Sequence, residues 1–273
     1  MARSKIAIVT GASSGIGMAT AVKLAKKGYM VYAGARRTQP IDDLKNTSIK
    51  SIELDVTDDE SMKKFVEKVI NKEDTVDVLV NNAGYGSYGS LEEVPMEEAR
   101  KQLEVNVFGL ARMTQLVLPH MRKAKSGKIV NISSVGGKFA TPFGSWYHAT
   151  KYAVEGMSDS LRNEVKQFGI DVIIIEPGGI KTAWSDIAMN GLEETSGNGP
   201  YKKAAKKVKK FYENVNKDSP GPKVIAELIS EAISVKNPRP RYRAGSGASG
   251  IKFRPLVSDR LFDKLLMKQI NKN

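Results

Sequence analysis

Cysteine is absent from the 273 residues of this sequence, and only two histidines, His120 and His148, occur. Without cysteine the chain forms no disulfide, carries no thiolate nucleophile and gives no sulfur ligand to a metal. Neither histidine has a second ligating residue at a useful spacing, so we expect no metal site. Disulfides belong to oxidising compartments, and their absence agrees with the cytoplasmic location that we expect.

Long apolar runs are lacking as well. The longest strand-like run covers residues 172–175, whereas a membrane-spanning helix needs roughly 18 or more apolar residues. The apolar run at residues 6–9 is too short for a secretory signal and leads directly into glycine-rich sequence. The proportions of hydrophobic (41%) and charged (27%) residues are typical of a globular protein. The sequence therefore predicts a protein without a transmembrane segment.

Acidic residues are scarce only in the last quarter of the chain. Residues 1–200 carry 25 Lys and Arg against 24 Asp and Glu, whereas residues 201–273 carry 18 against 6. The net charge of +13 therefore lies almost entirely in the C-terminal segment. A nearly neutral body beside a basic tail indicates that the charge belongs to an added surface and not to the main site.

What the sequence does have is a regular alternation of strand-like and helical segments. Each apolar, β-branched run is followed by a longer segment with helical spacing, and the runs begin near Ile6, Met30, Ile49, Val76, Lys128 and Asp171. Such alternation favours a parallel sheet with helices on both faces. We expect a single α/β domain with a Rossmann-type doubly wound parallel sheet, a C-terminal substrate flap and extra helices.

The domain divides into three parts by composition. We expect a cofactor-binding and catalytic core at residues 5–182, a substrate flap at 183–215, and C-terminal helices with a last strand at 216–273. Residues 185–200 have the composition of a mobile flap or, equally, of an ordinary surface loop. Helices are expected at about 14–27, 96–121, 145–168, 201–215, 219–235 and 258–270, with a strand at 241–243. The apolar face of the helix at 201–215 would comprise Ala204, Val208, Phe211, Tyr212 and Val215, opposite six lysines.

A glycine-rich turn follows the first strand and precedes the first helix. The turn reads Thr10-Gly11-Ala12-Ser13-Ser14-Gly15-Ile16-Gly17. Glycines allow a tight turn and let backbone N–H groups approach a pyrophosphate, which the positive end of the following helix also attracts. No Lys-Ser or Lys-Thr pair follows, so the turn is not a triphosphate-binding loop. We expect a dinucleotide site here.

The residues after the second strand indicate which dinucleotide is bound. Ala35 stands where a site for NAD has an acidic residue for the ribose hydroxyls, and Arg36 and Arg37 come next. A cation suits the 2′-phosphate of NADP(H), although two arginines at a strand end are also compatible with plain solvation. We expect NADP(H), with Asp55 and Val56 at the adenine edge of the same crevice.

Small and polar residues follow the later strands, where a ligand crevice would lie. The fourth strand leads into Asn81-Asn82-Ala83-Gly84 and the fifth into Asn131-Ile132-Ser133-Ser134. Tyr147 and Lys151 are four residues apart on the next helix, so they share a face. His148 points about 100° away around that helix, and we assign it to packing or to the surface.

These motifs, in this order, resemble those of the short-chain dehydrogenase/reductase superfamily. The resemblance covers about residues 5–182 and rests on six features: the glycine turn, Asn-Asn-Ala-Gly, Asn106-Val107-Phe108-Gly109, Ser134, Tyr147 with Lys151, and Pro177-Gly178-Gly179. The run at residues 85–89 and the tail at 240–263 are similar to the 17β-hydroxysteroid and retinol dehydrogenase-like branch.

The resemblance implies a role for each matching residue. Tyr147 would act as general acid and base, Ser134 would hydrogen-bond the same substrate oxygen, and Lys151 would hold the nicotinamide ribose and lower the pKa of Tyr147. Asn106 would hold a proton-relaying water. The expected cofactor-binding residues are Gly11, Ser13, Ser14, Gly15, Ile16, Gly17, Arg36, Arg37, Asp55, Val56, Asn82, Ala83, Gly84, Tyr147, Lys151, Pro177, Gly178, Ile180 and Thr182.

Elementary electrostatics agrees with the role of Lys151. An ammonium group about 4 Å from a phenol, at an effective dielectric constant of about 20, favours the phenolate by about 4 kcal/mol and so lowers its pKa by about 3. Burial opposes ionisation, so we expect a smaller net fall in the pKa of Tyr147 unless an oxidised cofactor adds positive charge.

The predicted function is that of an NADP(H)-dependent oxidoreductase that interconverts a hydrophobic ketone or aldehyde and its alcohol. Trp184, Ile187, Met189 and Leu192 would line the flap over the substrate. One alternative is an NADP(H)-binding regulatory or scaffold protein whose basic tail binds an anionic partner. The other is a 3-oxoacyl-carrier-protein reductase-like enzyme, although the long C-terminal extension argues against it.

Partners are predicted with less detail. The resemblance implies a homodimer or a homotetramer formed through the two long helices. The lysines at residues 202–210 are compatible with nucleic acid, membrane or acidic protein contact, but a solvated helix face is favoured.

Overall fold

The computed structural model describes residues 3–272. Seven parallel strands form one sheet in the order β3-β2-β1-β4-β5-β6-β7. The strands are β1 (Ile6–Thr10), β2 (Met30–Ala35), β3 (Ile49–Glu53), β4 (Val78–Asn81), β5 (Gly127–Ile132), β6 (Ile170–Pro177) and β7 (Arg241–Ala244). The strand order reverses between β1 and β4, which is where doubly wound sheets open a ligand crevice. The expected Rossmann-type α/β fold is therefore confirmed.

Helices cover both faces of the sheet. They are α1 (Gly15–Lys26), α2 (Gln39–Asp42), α3 (Asp59–Glu73), α4 (Met96–Leu103), α5 (Gly109–Ala124), α6 (Ser145–Val165), α7 (Ala183–Ser196), α8 (Lys202–Lys217), α9 (Lys223–Ser234) and α10 (Asp259–Asn271). A π-helical turn at Glu104–Phe108 joins α4 to α5, and a 3₁₀ helix at Ala248–Leu256 precedes α10. No helix within residues 3–272 is both long and apolar enough to cross a membrane.

Two apolar cores follow from the alternation of side chains along the strands. Ala7 and Val9 of β1 face the core beneath α1 and α9, which Leu24 and Ile229 complete. The neighbouring residues of the same strand face the opposite core beneath α3, α5 and α6, where Phe65 is fully buried. The continuous apolar character of these strands thus reflects burial on both faces.

A third cluster lies over the carboxyl ends of the strands. It joins α7, α8 and α10 through Leu192, Val208 and Ile270, and it includes Tyr88 and Tyr147. The expectation of an ordinary surface loop at 185–200 was wrong, because residues 183–196 form α7 with one buried face, whereas the substrate flap at 183–215 stays a prediction. The apolar face expected for α8 was also wrong at one position. Ala205 is buried there, whereas Ala204 is exposed.

Candidate active site

A cleft of about 800 Å³ runs along the carboxyl ends of the strands. It starts at the glycine turn between β1 and α1, passes the ends of β4, β5 and β6, and ends against α8 and α10. Because the sheet order reverses here, the crevice is open between the two halves of the sheet.

The glycine turn shapes one end of the cleft as an anion site. Gly11 and Gly15 have φ angles of +65° and +55°, which favour glycine. Ser14 precedes α1 without making a side-chain cap, and the first turn of α1 carries no acidic residue. The first N–H groups of α1 are therefore left for a ligand, and Ser14, Gly15 and Ile16 line the cleft. This cradle fits the pyrophosphate of a dinucleotide.

Asn82 fixes the end of β4 against the glycine turn. Its Nδ2 donates to the backbone oxygens of Thr10 at 3.0 Å and Gly11 at 3.1 Å. In return, Thr10 Oγ1 accepts from the backbone N–H groups of Asn82 and Ala83, each at 3.0 Å. A Cβ atom on Gly17 would overlap the Gly11 carbonyl and the Asn82 amide. The chain itself thus holds the cradle in shape.

Arg36 and Arg37 are exposed directly after β2. The pKa of Asp55 lies below its usual value although partial burial acts to raise it. The causes are the hydrogen bonds that Thr57 donates and the nearby charges of Arg36 and Lys101. The positive charge of Arg36 therefore acts on the carboxylate that follows β3.

The candidate cofactor residues separate into two groups in space. Thirteen of them line the cleft: Gly11, Ser14, Gly15, Ile16, Asn82, Ala83, Gly84, Tyr147, Lys151, Pro177, Gly178, Ile180 and Thr182. Six lie outside its lining: Ser13, Gly17, Arg36, Arg37, Asp55 and Val56.

Ser134, Tyr147 and Lys151 come together at the centre of the cleft. Ser134 lies two residues after the end of β5, and its Oγ accepts from the Gly136 N–H at 3.0 Å. Tyr147 and Lys151 project from α6 and are each 8% exposed. The Lys151 Nζ donates to the Ile132 carbonyl at 2.9 Å and lies 5.8 Å from the centroid of the Tyr147 ring. Serine and tyrosine hydroxyls thus share one partly enclosed site with a buried cation.

Burial dominates the proton equilibria of this site. It raises the pKa of Tyr147, although the Ser134 hydroxyl lowers that pKa as a hydrogen-bond partner. Burial also lowers the pKa of Lys151 to about 8, although the negative charge of Glu155 acts to raise it. The expected fall in the Tyr147 pKa was therefore wrong for the chain alone. The Lys151 ammonium is directed to the Ile132 carbonyl, and desolvation of the phenolate prevails.

The π-helical turn between α4 and α5 buries Asn106, which is 1% exposed. The Gly109 N–H donates to the Glu104 carbonyl, which widens the helix at this point. Both side-chain N–H groups of Asn106 are used, one toward Tyr85 O at 2.9 Å and one toward Thr150 Oγ1 at 3.1 Å. Asn106 thus braces α6 at Thr150, one residue before Lys151, and it lies outside the lining of the cleft.

Residues 5–190 match the sequence profile of the short chain dehydrogenase family. This chain belongs to the short-chain dehydrogenase/reductase superfamily. A 3-ketodihydrosphingosine reductase of Bacteroides thetaiotaomicron is 37% identical over 241 residues, which cover 88% of each chain. An NADPH-dependent 3-dehydrocapnine reductase of Ornithobacterium rhinotracheale is 34% identical over 285 residues, which cover 98% of each.

A crystal structure of a short-chain dehydrogenase from Streptomyces avermitilis agrees with the fold over nearly the whole molecule. The TM-score is 0.82 at 34% identity, with 99% of this chain and 98% of that chain covered. The protein is therefore an oxidoreductase of a family that binds nicotinamide cofactors.

In the present chain, aromatic side chains form the wall of the cleft opposite the dinucleotide cradle. Ring centroids of Tyr88 and Trp184 lie 5.7 Å and 5.0 Å from that of Tyr147. Tyr212 of α8 stands edge-on to Tyr88 at 5.6 Å. We call Tyr88, Trp184 and Tyr212 the aromatic wall. Trp184 was anticipated as a flap residue, whereas Tyr88 was noted only within a branch-like motif and Tyr212 only as part of an apolar helix face.

His148 connects the segment between β5 and α6 to the aromatic wall. Its Nε2 accepts from the Thr141 N–H at 2.9 Å, so its Nδ1 carries the hydrogen and donates to Gly136 O at 2.8 Å. The Thr141 hydroxyl lies 2.7 Å from the Tyr212 hydroxyl. Burial lowers the pKa of His148, which keeps the ring neutral near pH 7. Its sequence position next to Tyr147 gave no sign of this bridging role.

Two glycines seat α7 on the loop that carries Tyr88. A Cβ atom on Gly86 would overlap the Trp184 ring, and one on Gly89 would lie 2.6 Å from Thr195 Cγ2. The Ser90 N–H donates to Ser196 Oγ at 2.9 Å. α7 thus contacts this loop through Trp184 at its first turn and through Thr195 and Ser196 at its last turn. The two glycines permit this close approach.

Proposed function

We propose that this protein is an NADP(H)-dependent reductase that interconverts a hydrophobic ketone or aldehyde and its alcohol. The observation that carries the proposal is the meeting of Ser134, Tyr147 and Lys151 between a dinucleotide cradle and an aromatic wall. In the reductive direction, a bound NADPH supplies the hydride that the carbonyl carbon receives. The chain then has to hold the carbonyl oxygen and deliver one proton to it.

Tyr147 and Ser134 are the groups placed for that task. Both hydroxyls donate to the carbonyl oxygen, and the Tyr147 O–H bond breaks as the oxygen takes up the proton. Lys151, when protonated, stabilises the phenolate that remains at Tyr147, since an opposite charge favours ionisation. In the reverse direction the same phenolate accepts the proton of the alcohol, so the groups act in both directions.

The preference for NADP(H) rests on Arg36. No carboxylate follows β2 at Ala35, and the guanidinium beside Asp55 offers a cation to a 2′-phosphate. The NADPH dependence in the name of the Ornithobacterium relative supports the same choice.

The substrate class rests on the aromatic wall and on the apolar residues of α10. Phe262, Leu265 and Leu266 line the far end of the cleft, so a substrate with a long apolar portion would be buried there. Both named relatives are reductases by their names, and the name 3-ketodihydrosphingosine reductase includes a ketone of a sphingoid base. We propose that the protein acts in the cytoplasm as a homodimer or homotetramer formed through α4, α5 and α6.

The decisive variant is Tyr147→Phe, which removes one hydroxyl and keeps the ring. We expect kcat to fall by about 10²–10⁴-fold, because a positioned acid contributes about that much, and the Kd for NADPH to stay within about twofold. Tyr152→Phe is the matched control, since Tyr152 lies on α6 but is 49% exposed. Activity near that of the wild type in Tyr147→Phe would contradict the proposed mechanism.

The substrate class is tested by initial rates of NADPH oxidation with carbonyls that range from small aldehydes to long-chain, steroid and retinoid ketones. We expect turnover with the bulky apolar members, and slower turnover with NADH. Tight NADPH binding without turnover of any carbonyl would favour the regulatory alternative.

A further inference from the structure

The C-terminal segment leaves an unusual amount of apolar surface in solvent. Within residues 3–272, five of the twelve exposed large hydrophobic side chains lie between positions 253 and 267. Phe253 and Leu256 of the 3₁₀ helix are 54% and 81% exposed, and Leu261 and Leu265 of α10 are 49% and 50% exposed. We call these four side chains, with Lys252, Lys264 and Lys268, the rim surface.

α10 packs on the protein with one narrow stripe. Phe262, Leu266 and Ile270 follow at intervals of four residues and face the third apolar cluster or the cleft. Leu261 directly precedes Phe262, and Leu265 directly precedes Leu266. The two leucines therefore lie on the neighbouring face of α10. That face is directed outward, as their exposure shows.

The exposed apolar residues are continuous with the mouth of the cleft. Phe253 and Leu265 line the cleft with part of their surface and are half exposed. A molecule that enters past α10 therefore moves from the rim surface directly into the substrate end of the site.

Basic side chains surround this apolar surface. Lys264, Lys268 and Lys272 are three, seven and eleven residues after Leu261, which places them on its side of α10. The Lys252 ammonium lies 4.9 Å from the centroid of the Phe253 ring. Of the two acidic residues in residues 252–272, Asp259 pairs with Arg254 at 2.5 Å. The other is Asp263, and the two stand against six Lys and Arg in this segment. The rim surface thus combines apolar side chains with a net positive charge.

We propose that the rim surface docks on an anionic lipid bilayer and admits an apolar substrate from it. Leucines and phenylalanine enter the acyl boundary while lysines contact anionic headgroups, and this pairing is typical of interfacial helices. Nucleic acid would be bound by charge without exposed leucines, and a second copy of this chain would meet the same positive charge. The admission of substrate rests on the proposed function, whereas the docking does not.

α8 supplies an internal comparison. It carries seven lysines, but its apolar residues Ala205 and Val208 are buried, and none of the exposed large hydrophobic side chains of residues 3–272 belongs to it. α8 therefore exposes positive charge without large apolar side chains, whereas the rim surface exposes both.

The docking is tested by flotation of the full chain with phosphatidylcholine vesicles, with and without phosphatidylglycerol, at low and high salt. We expect binding only to the anionic vesicles, weakened by salt. Leu256→Ser/Leu261→Ser and Lys264→Gln/Lys268→Gln should each weaken binding at least about tenfold. Lys203→Gln/Lys210→Gln on α8 removes the same charge and should change binding less than about twofold.

Three results would overturn the docking. One is no binding of the wild type to anionic vesicles at low salt. Another is an equal loss of binding in the α8 and α10 charge variants. The third is dissociation of an oligomer by Leu256→Ser/Leu261→Ser without any vesicle binding, which would make the rim surface an interface between copies.

The admission of substrate is tested with a long-chain ketone held in anionic vesicles and a short, water-soluble ketone. We expect Leu256→Ser/Leu261→Ser to slow reduction of the first several-fold and to leave the second unchanged, because neither leucine lines the cleft. Equal rates in wild type and variant on the vesicle-held ketone would contradict it. Failure of the wild type on both ketones, with vesicle binding intact, would instead contradict the proposed function.

Discussion

Lys151 is a buried ammonium that has one hydrogen-bond acceptor, Ile132 O, in the described chain. Burial lowers its pKa to about 8, whereas an unfolded chain has a lysine pKa near 10.4. Between these values the unfolded state binds more protons, so stability rises with pH in this window. Below pH 8 the charged form destabilises the fold. The charge of Lys151 is therefore kept at the expense of stability.

We expect Lys151→Met to reveal this effect in the absence of cofactor. The free energy of unfolding of the variant minus that of the wild type should decrease by about 2 kcal/mol from pH 7 to pH 10, because the wild type sheds its buried charge. Urea unfolding at both pH values measures the difference, and other titrating groups cancel between the two proteins. A difference that stays constant with pH would contradict the assigned pKa.

A second proposal at the scale of one residue concerns Arg36 and the choice of dinucleotide. We expect Arg36→Ala to weaken NADPH binding by about 10–100-fold, the loss typical of one charge-assisted contact, with little change for NADH. Titration of intrinsic fluorescence with each cofactor measures the two Kd values. Equal losses would mean that Arg36 does not contact the 2′-phosphate.

At the scale of secondary-structure elements, α7 is positioned by the residues that it packs against. Its sequence, with glycine, asparagine and serine, is typical of a loop, and the prediction failed for that reason. The helix forms because Ala188, Met189 and Leu192 are buried beneath it and because Gly86 and Gly89 admit it closely. Such tertiary stabilisation overrides local helix propensity, and no local sequence pattern predicts it.

We expect Gly86→Ala to displace Trp184 and so to raise KM for the carbonyl several-fold, while the Kd for NADPH stays unchanged. Gly191→Ala is the control. Gly191 lies on α7, the helix that carries Trp184, and apart from its chain neighbours and the backbone of its own helix, no atom lies within 4 Å of the added Cβ. That control should stabilise the protein by about 0.5–1 kcal/mol through helix propensity and leave KM unchanged. Steady-state kinetics with thermal unfolding separates the two effects. A normal KM in Gly86→Ala would show that Trp184 does not position the substrate.

For the whole molecule, the sequence predicted the parts that depend on short-range patterns. The strands, the glycine turn and the Tyr147–Lys151 pair could be located because their periodicity or spacing lies within a few residues. The aromatic wall could not, since Tyr88 and Tyr212 are 124 residues apart. Nor could the hydrogen bonds of His148, whose partners Gly136 and Thr141 lie in the irregular connection between β5 and α6, or the Tyr147 pKa, which depends on burial.

The strand order also has a consequence for the time course of synthesis. The cofactor cradle uses residues up to Thr182, whereas the substrate side requires α7, α8 and finally Ile270 of α10. The N-terminal part of a chain is synthesised first, but a domain folds as a unit. On the ribosome, the glycine turn and the ends of β4, β5 and β6 therefore emerge well before α9, yet α1 shares its apolar core with α9, so the core beneath the cradle closes only after Lys223–Ser234 has been made.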